Sequence, residues 1–448
     1  MNFTAFKEAV IAAAREMGVA DYELYYTSGE STAVSAFRHE LNEFTASVEG
    51  GVCLRCIVDG KMGYASTQSL DPRAAKALLE RAMDNAATIE TEDAVFLGEG
   101  GQTYEPLELR PYDLPATDAL IAAVLDTQEK LYAADAHIVD GSTTRGFAEH
   151  GEFAIFNSHG LDLRYANNYA GLVVNATVER GGEKANDFAV QLGRLDSLDT
   201  DAMTVKAAKK ALENLGGDVP ATGACPVVFD PDAVYALLSC FASVFSSEAA
   251  QKGLSKLAGK EGTVIAAPMV TLVDDPFHPG SPMPINFDAE GSPTRRKNII
   301  EKGTLNTLLY NLKSAARVGK TTTGNASKAG YDAPVGIRPF TFYLENGSMP
   351  VEELLAKAGN GVFINSLEGL HSGANAISGD FSLQAAGNLI ENGRKTAHVK
   401  SFTVAGNFFD LLMNITAMAD DFRLPRPLGM TTYGSPTILV EGLSVAGK

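Results

Sequence analysis

Strand-like segments in this 448-residue sequence arrive in runs, with helical segments set between the runs. That ordering constrains the fold strongly, because an α/β sheet with crossover helices needs strands and helices to alternate one by one. Tyr22 to Thr67 reads as antiparallel strands in YELYYTS, STAVSAFR, LNEFTASVE and VCLRCIVDG. Turns are expected at Gly29-Glu30, Glu49-Gly50-Gly51 and Asp59-Gly60. Strands return from Ile138 to Leu192, with small turns expected at His150-Gly151 and His159-Gly160. Helices are expected at the start, where Phe3, Phe6, Val10, Ala13, Ala14 and Met17 fall near one stripe, after Asp71 and Pro72, from Thr117 to Ala134, and from Thr200 to Leu215. Glu99 to Pro115 reads as a loop.

The expected class is α+β with two domains. Residues 1–220 form an N-terminal mixed antiparallel sheet with helices, and GGDVPATGACP is the linker. Residues 221–448 form a β-rich, barrel-like domain with a few helices. It opens with PVVF as a buried strand and a helix from Asp230 to Phe245, with Pro231 in the first turn. Val351 to Ala358 is a short helix capped by Gly359.

A formal net charge of −18 argues against nucleic acid, whose affinity comes mainly from Lys and Arg contacts to phosphate. A protein partner or a peptide fits that charge better. No apolar run approaches the roughly 18 residues that span a bilayer. The first residues lack a basic n-region, and four cysteines suggest a reducing compartment, so the expected location is cytoplasmic.

From Gly369 to Asn414 the sequence is punctuated by glycine, and SGDF, LIENG and AGN follow one another in order. Together with GGVCLRCIVDGKMGYAST, TRRKNIIEKGTLNTLLYN and SPTILVEGLSVAG, this order resembles the TldD/PmbA family of peptide-processing metalloproteases. Relatives with an active metal site carry HExxxH, in which two histidines on a helix hold Zn²⁺ and the Glu acts as general base. Aligning LLSCFASV with that motif puts Ser239 at the first His, Cys240 at the Glu and Val244 at the second His. Active relatives also use a cysteine near the C-terminus, and Ala417 to Tyr433 has none. The resemblance therefore implies the metal-lacking PmbA (TldE) branch. This would be a non-catalytic subunit that shapes a chamber and grips unfolded peptide, with no cofactor of its own and zinc only in a TldD-type partner. The family's older label, modulator of DNA gyrase, does not imply DNA binding by so acidic a chain. Two alternatives remain: a stand-alone peptide- or protein-binding regulatory homodimer, and a metallopeptidase with a relocated metal site using His278, His371 and acidic residues.

No residue is singled out as catalytic or metal-binding. The substrate-binding candidates lie in the motif block: His371, Ser372, Asn375, Gly379, Asp380 and Phe381. Asp380 is expected to bind nearby backbone N–H groups at a turn set by Gly379. Phe381 and Leu383 should face one side of the following strand, and Ser382 and Gln384 the other. Cys53 and Cys56 form CxxC inside a strand, where residues three apart face opposite sides and cannot share a metal. His150 and His159 are expected to be exposed turn residues. Cys240, among apolar neighbours, reads as structural rather than nucleophilic. GKT at 319–321 lacks the first P-loop glycine, since position 314 is Ser.

Overall fold

The computed structural model describes residues 3–90, 93–107, 112–426 and 428–448. The chain is α+β, about 25% helix and 40% strand. Part of the segment expected to loop between Glu99 and Pro115, residues 108–111, lies outside the described residues.

The first sheet is six-stranded and antiparallel, made of two three-stranded meanders paired side by side. Its strands are β1 (Asp21–Phe37), β2 (Glu40–Val58), β3 (Lys61–Thr67), β4 (Thr143–Asn157), β5 (Asp162–Arg180) and β6 (Glu183–Leu192), in the order β3-β2-β1-β4-β5-β6. Helices α1 (Phe3–Met17) and α2 (Ala75–Ala87) cover one end of one face, and α3 (Thr117–Ala134) and α4 (Thr200–Glu213) the other end. In α1 the buried residues Phe6, Val10, Ala13 and Ala14 fall at the spacing of one helical stripe and pack on Leu24, Tyr26 and Leu54.

Fewer, longer strands replace the expected short ones. Gly29-Glu30 and Glu49-Gly50-Gly51 are not turns: they face each other in the β1–β2 ladder, and Gly29-Glu30 also pairs with β4. His150-Gly151 is likewise mid-strand in β4, paired on both sides. Turn chemistry at these dipeptides yields to sheet hydrogen bonds made from both neighbours. Asp59-Gly60 does turn, with both residues at positive φ (49° and 75°), as a two-residue hairpin requires. Between β1 and β2 the turn is Arg38-His39, also at positive φ and without a glycine. Asp71 caps a short 3₁₀ turn ahead of α2 by accepting from the Arg73 N–H.

The opposite face of the sheet, with Tyr25, Cys53, Ile155 and Tyr165, packs on Phe287, Ala289 and Ala326 from later in the chain. Cys53 therefore points toward the C-terminal half, while Cys56 points toward α1 and α2, as their spacing predicts.

The C-terminal half is built around a closed five-stranded barrel. Strand β7 (Gly223–Phe229) sits between Gly361–Glu368 and Ile438–Ala446, and the strands Asp380–Glu391 and Arg394–Asn407 complete the ring. Pairing of Thr403–Ala405 with Ser444–Ala446 closes it. Helix α5 (Pro231–Phe241), capped by Asp230, follows β7 and tightens into a 3₁₀ turn over Ala242–Phe245. Of the stretch from Thr263 to Pro276, only Leu272–Asp274 is strand, part of a separate five-stranded sheet. Gly387 marks a close approach, since a Cβ there would lie 1.8 Å from the Phe363 carbonyl oxygen.

The segment joining the halves is hydrogen-bonded into the barrel. Asp218 N–H donates to the His398 carbonyl at 3.2 Å, and Lys400 N–H donates to the Asp218 carbonyl at 3.1 Å. Thr222 N–H donates to the Lys448 carbonyl, and Lys448 N–H to that of Pro220. Among the described residues no helix is long and apolar enough to cross a membrane.

Candidate functional site

The motif block builds a hairpin whose strands, Gly361–Glu368 and Asp380–Glu391, are joined by a wide connection. Gly369 enters it in the left-handed region (φ 77°) and starts a single helical turn that carries His371 and Ser372 on the surface. Asn375 Oδ1 accepts from the Ile377 and Ser378 N–H groups at 2.9 and 3.2 Å. Gly379 (φ 80°) packs so closely on Phe409 that a Cβ would come within 2.6 Å of its ring. Asp380 accepts from Asn407 Nδ2 at 2.8 Å, instead of from backbone N–H groups. That bond, with help from Ser378, holds its carboxyl below the usual range.

Of the six candidates, His371, Ser372, Asn375 and Asp380 are exposed. Gly379 is buried against Phe409, and Phe381 is 3% exposed, with its ring centroid 6.3 Å from that of Phe241. Neither offers a surface to a ligand, because the strand alternation that bares Ser382 and Gln384 turns Phe381 and Leu383 into the barrel.

The three positions aligned with HExxxH are not brought together. Ser239 is exposed at the end of α5, and its Oγ donates back to the Ala236 carbonyl at 2.9 Å. Cys240 is half-buried against the core, where burial pushes its thiol pKa up. Val244, on the 3₁₀ turn, is 1% exposed inside the core. These donors do not fit a catalytic zinc. Among the described residues, no group of three or more His, Cys, Asp or Glu side chains is gathered to hold a metal. His278 packs on Tyr343 and Phe422, and its Nδ1 accepts from the Gly280 N–H at 3.1 Å. His159 does occupy a turn, but it bridges Asp21 (2.7 Å) and Glu99 (2.9 Å), which raise its pKa.

The outward face of the Asp380–Glu391 strand, with Gln384 and Ala386, floors a cleft of about 350 Å³. Its other wall comes from β5, β6 and α4 of the first half. Two irregularities of the barrel lie on this floor. Asn365 is the unpaired residue of a β-bulge between Ile364 and Ser366. Lys400 and Ser401 bulge opposite Ala386, with Ser401 in the left-handed region (φ 56°). A non-glycine residue there costs roughly 1–2 kcal/mol, and bulges of this kind re-aim side chains near functional sites.

Among the described residues, two polar atoms on side chains lining the cleft are buried without a hydrogen-bond partner: Asn365 Oδ1 and Arg426 Nε. The Arg426 guanidinium lies 4.7 Å from the Phe188 ring centroid and 5.3 Å from that of Tyr235, so aromatic groups from both halves hold it. Lys210 pairs with Asp187 at 3.1 Å, and Lys400 pairs with Glu183 across the halves. Burial, then the Lys400 charge, lower the His398 pKa. Arg426, Asn365, Phe188 and Tyr235 are not marked by any sequence motif. Only the closure of distant segments assembles them.

Beside the cleft, Asp230 caps α5 by accepting from the Ala233 N–H at 3.0 Å, and it lies 3.5 Å from Arg423 Nη2. Burial, then the neighbouring Asp232 charge, push its carboxyl up to about 7. A folded-state value above the unfolded one contributes stability that is present at low pH and lost as pH rises through about 7. Asp230→Asn keeps a capping side chain and removes the charge. Its stability relative to wild type is expected to improve by roughly 1–3 kcal/mol between pH 5 and 8. Parallel pH profiles of the two unfolding midpoints would show that Asp230 does not titrate in this window.

Residues 222–447 match the family model for the PmbA/TldA metallopeptidase C-terminal domain. Residues 22–86 match domain 1 of the same family, and residues 110–215 its central domain. The chain is 26% identical over 444 residues to the metalloprotease PmbA homolog of Haemophilus influenzae, covering 96% of this chain and 93% of the relative. It is 24% identical over 433 residues to metalloprotease PmbA of Escherichia coli O157:H7, covering 94% and 91%. A Thermotoga maritima structure described as a modulator of a DNA gyrase superposes with TM-score 0.89 at 29% identity, covering 99% of this chain and 100% of that one. TldE from Thermococcus kodakarensis superposes with TM-score 0.86 at 25% identity over the same shares.

Proposed function

The chain belongs to the PmbA/TldD metallopeptidase family, and from that premise we propose that it is a non-catalytic, TldE-type subunit that holds unfolded peptide for a metal-bearing TldD-type partner. One observation carries this reading: Ser239, Cys240 and Val244 have neither the donor chemistry nor the common direction that a zinc-bound water requires. The TldE likeness supports it. So does the cleft, whose amide side chains suit the main chain of an extended peptide.

In this reading the chain's own residues bind and orient. Gln384 and Asn365 offer amide groups to the peptide backbone. The glycine-rich connection carrying His371, Ser372, Asn375 and Asp380 adjoins the same hairpin and contributes surface. The chemistry of peptide hydrolysis falls to the partner.

The test is co-expression with a TldD-type subunit, measuring complex formation, zinc content and cleavage of an unfolded peptide on one sample. The isolated chain is expected to cleave nothing, and the complex to cleave with zinc carried by the partner. Failure to form a complex, or cleavage by the isolated chain at the rate of the complex, would overturn the reading.

A further inference from the structure

The cleft is lined by four cationic side chains and by the carboxylates of Asp187, Asp232 and Glu368, and three of the cations are already ion-paired. Lys184 pairs with Glu179 at 3.3 Å, Lys210 with Asp187, and Lys400 with Glu183. Arg426 has no ion pair among the described residues, although it is held between Phe188 and Tyr235 and its Nε is buried. Aromatic rings fix the plane of a guanidinium and strip its water, which leaves its edge for a planar partner that accepts two parallel N–H bonds. A carboxylate has that shape.

The second unpaired atom narrows the ligand. Asn365 Oδ1 is an acceptor, so a ligand that also carries a donor would satisfy it. A fully ionised phosphate or sulfate supplies acceptors only. A peptide ending in a free carboxylate supplies both, because its last residues carry amide N–H groups beside the terminal oxygens. The bulge leaves Asn365 out of the ladder, and its side chain lines the cleft.

We propose that this cleft anchors the free C-terminal carboxylate of a peptide on Arg426, while Asn365 accepts a hydrogen bond from the peptide's main chain. The inference rests on the reading that the chain holds peptide, and it adds the end of the peptide that is recognised. An Asp or Glu side chain would bring the same carboxylate, so the test separates the two sources.

Three fluorescent peptides of one neutral sequence serve as probes: a free acid, its C-terminal amide, and an amide with one internal Glu. Binding is measured by anisotropy to the chain and to its complex with a TldD-type subunit. The free acid is expected to bind about 10- to 100-fold tighter than either amide, the span of one charge-assisted hydrogen-bonded pair. Arg426→Ala should abolish that preference. Arg426→Lys should recover little of it, because a point charge lacks the fork. Asn365→Asp, which sets a like charge in the cleft, should weaken the free acid and spare the amides. Equal binding of acid and amide, or a Glu-containing amide that matches the acid, overturns the terminal assignment while leaving peptide holding intact. Binding of none of the three peptides, by chain or complex, overturns the peptide-holding reading itself and this assignment with it.

Discussion

Arg55→Met is expected to lower stability by about 3–5 kcal/mol, the usual cost of removing one partner of a buried ion pair. Arg55 is 5% exposed and Glu23 1%. Arg55 Nε donates to Glu23 Oε1 at 2.7 Å, and Asn157 Nδ2 donates to Glu23 Oε2 at 3.2 Å. Burial works against the Arg55 charge, and Glu23 with Glu290 more than offsets it. Methionine fills much of the space and leaves Glu23 and Glu290 without the guanidinium that offset their charges. Burial already pushes Glu290 up to about 7, and its neighbour Asp288 to about 6. The loss should therefore shrink as pH falls from 8 to 5, since protonation removes the charge that Arg55 neutralised. Glu23→Gln combined with Arg55→Met should cost less than the sum of the two single changes. Denaturant midpoints at the two pH values provide the measurement. A loss below about 1 kcal/mol, typical of an exposed pair, would show that water reaches this site.

Phe241→Ala is expected to cost a similar amount, about 3–5 kcal/mol, for a different reason: it opens a cavity in packed hydrocarbon. Phe241 is fully buried, stacked on Phe408 with centroids 4.5 Å apart and planes 10° from parallel, and set edgewise to Phe381. It links α5 to the barrel at the base of the connection that carries His371 and Asp380. Phe241→Leu, which keeps most of the volume, should recover more than half of the loss. The Phe241→Ala and Phe381→Ala effects should not add, because both empty the same region. Thermal midpoints of the singles and the double decide this. Strict additivity would mean that the two rings do not share a cavity.

Much of the fold is legible in the sequence because it is written locally. Runs of strands gave the α+β class, and Asp230 with Pro231 announced the start of α5. Alternation placed Ser382 and Gln384 opposite Phe381 and Leu383. Other features depend on neighbours. Gly29-Glu30 and His150-Gly151 have the chemistry of turns, yet each lies between two paired strands, and a ladder on both sides outweighs a dipeptide's preference. The site is harder still. Phe381 was singled out with its motif, although the alternation that exposes Ser382 buries it. Arg426 lies in a tail whose sequence interest was the lack of a cysteine. Its ring partners are some 190 and 240 positions away by the numbering, and no local pattern joins them. Asn365 becomes available only because the ladder skips it, and register is a property of paired strands.

The hydrogen bonds from Asp218 to His398 and Lys400 also bear on how the two halves respond to load. A joint of seven or so free residues would act as a swivel. This one is stitched along the 394–407 strand, so pulling the halves apart shears several backbone bonds before the joint can straighten. These bonds oppose widening of the gap, so an occupant that needs a wider cleft binds at the cost of breaking them.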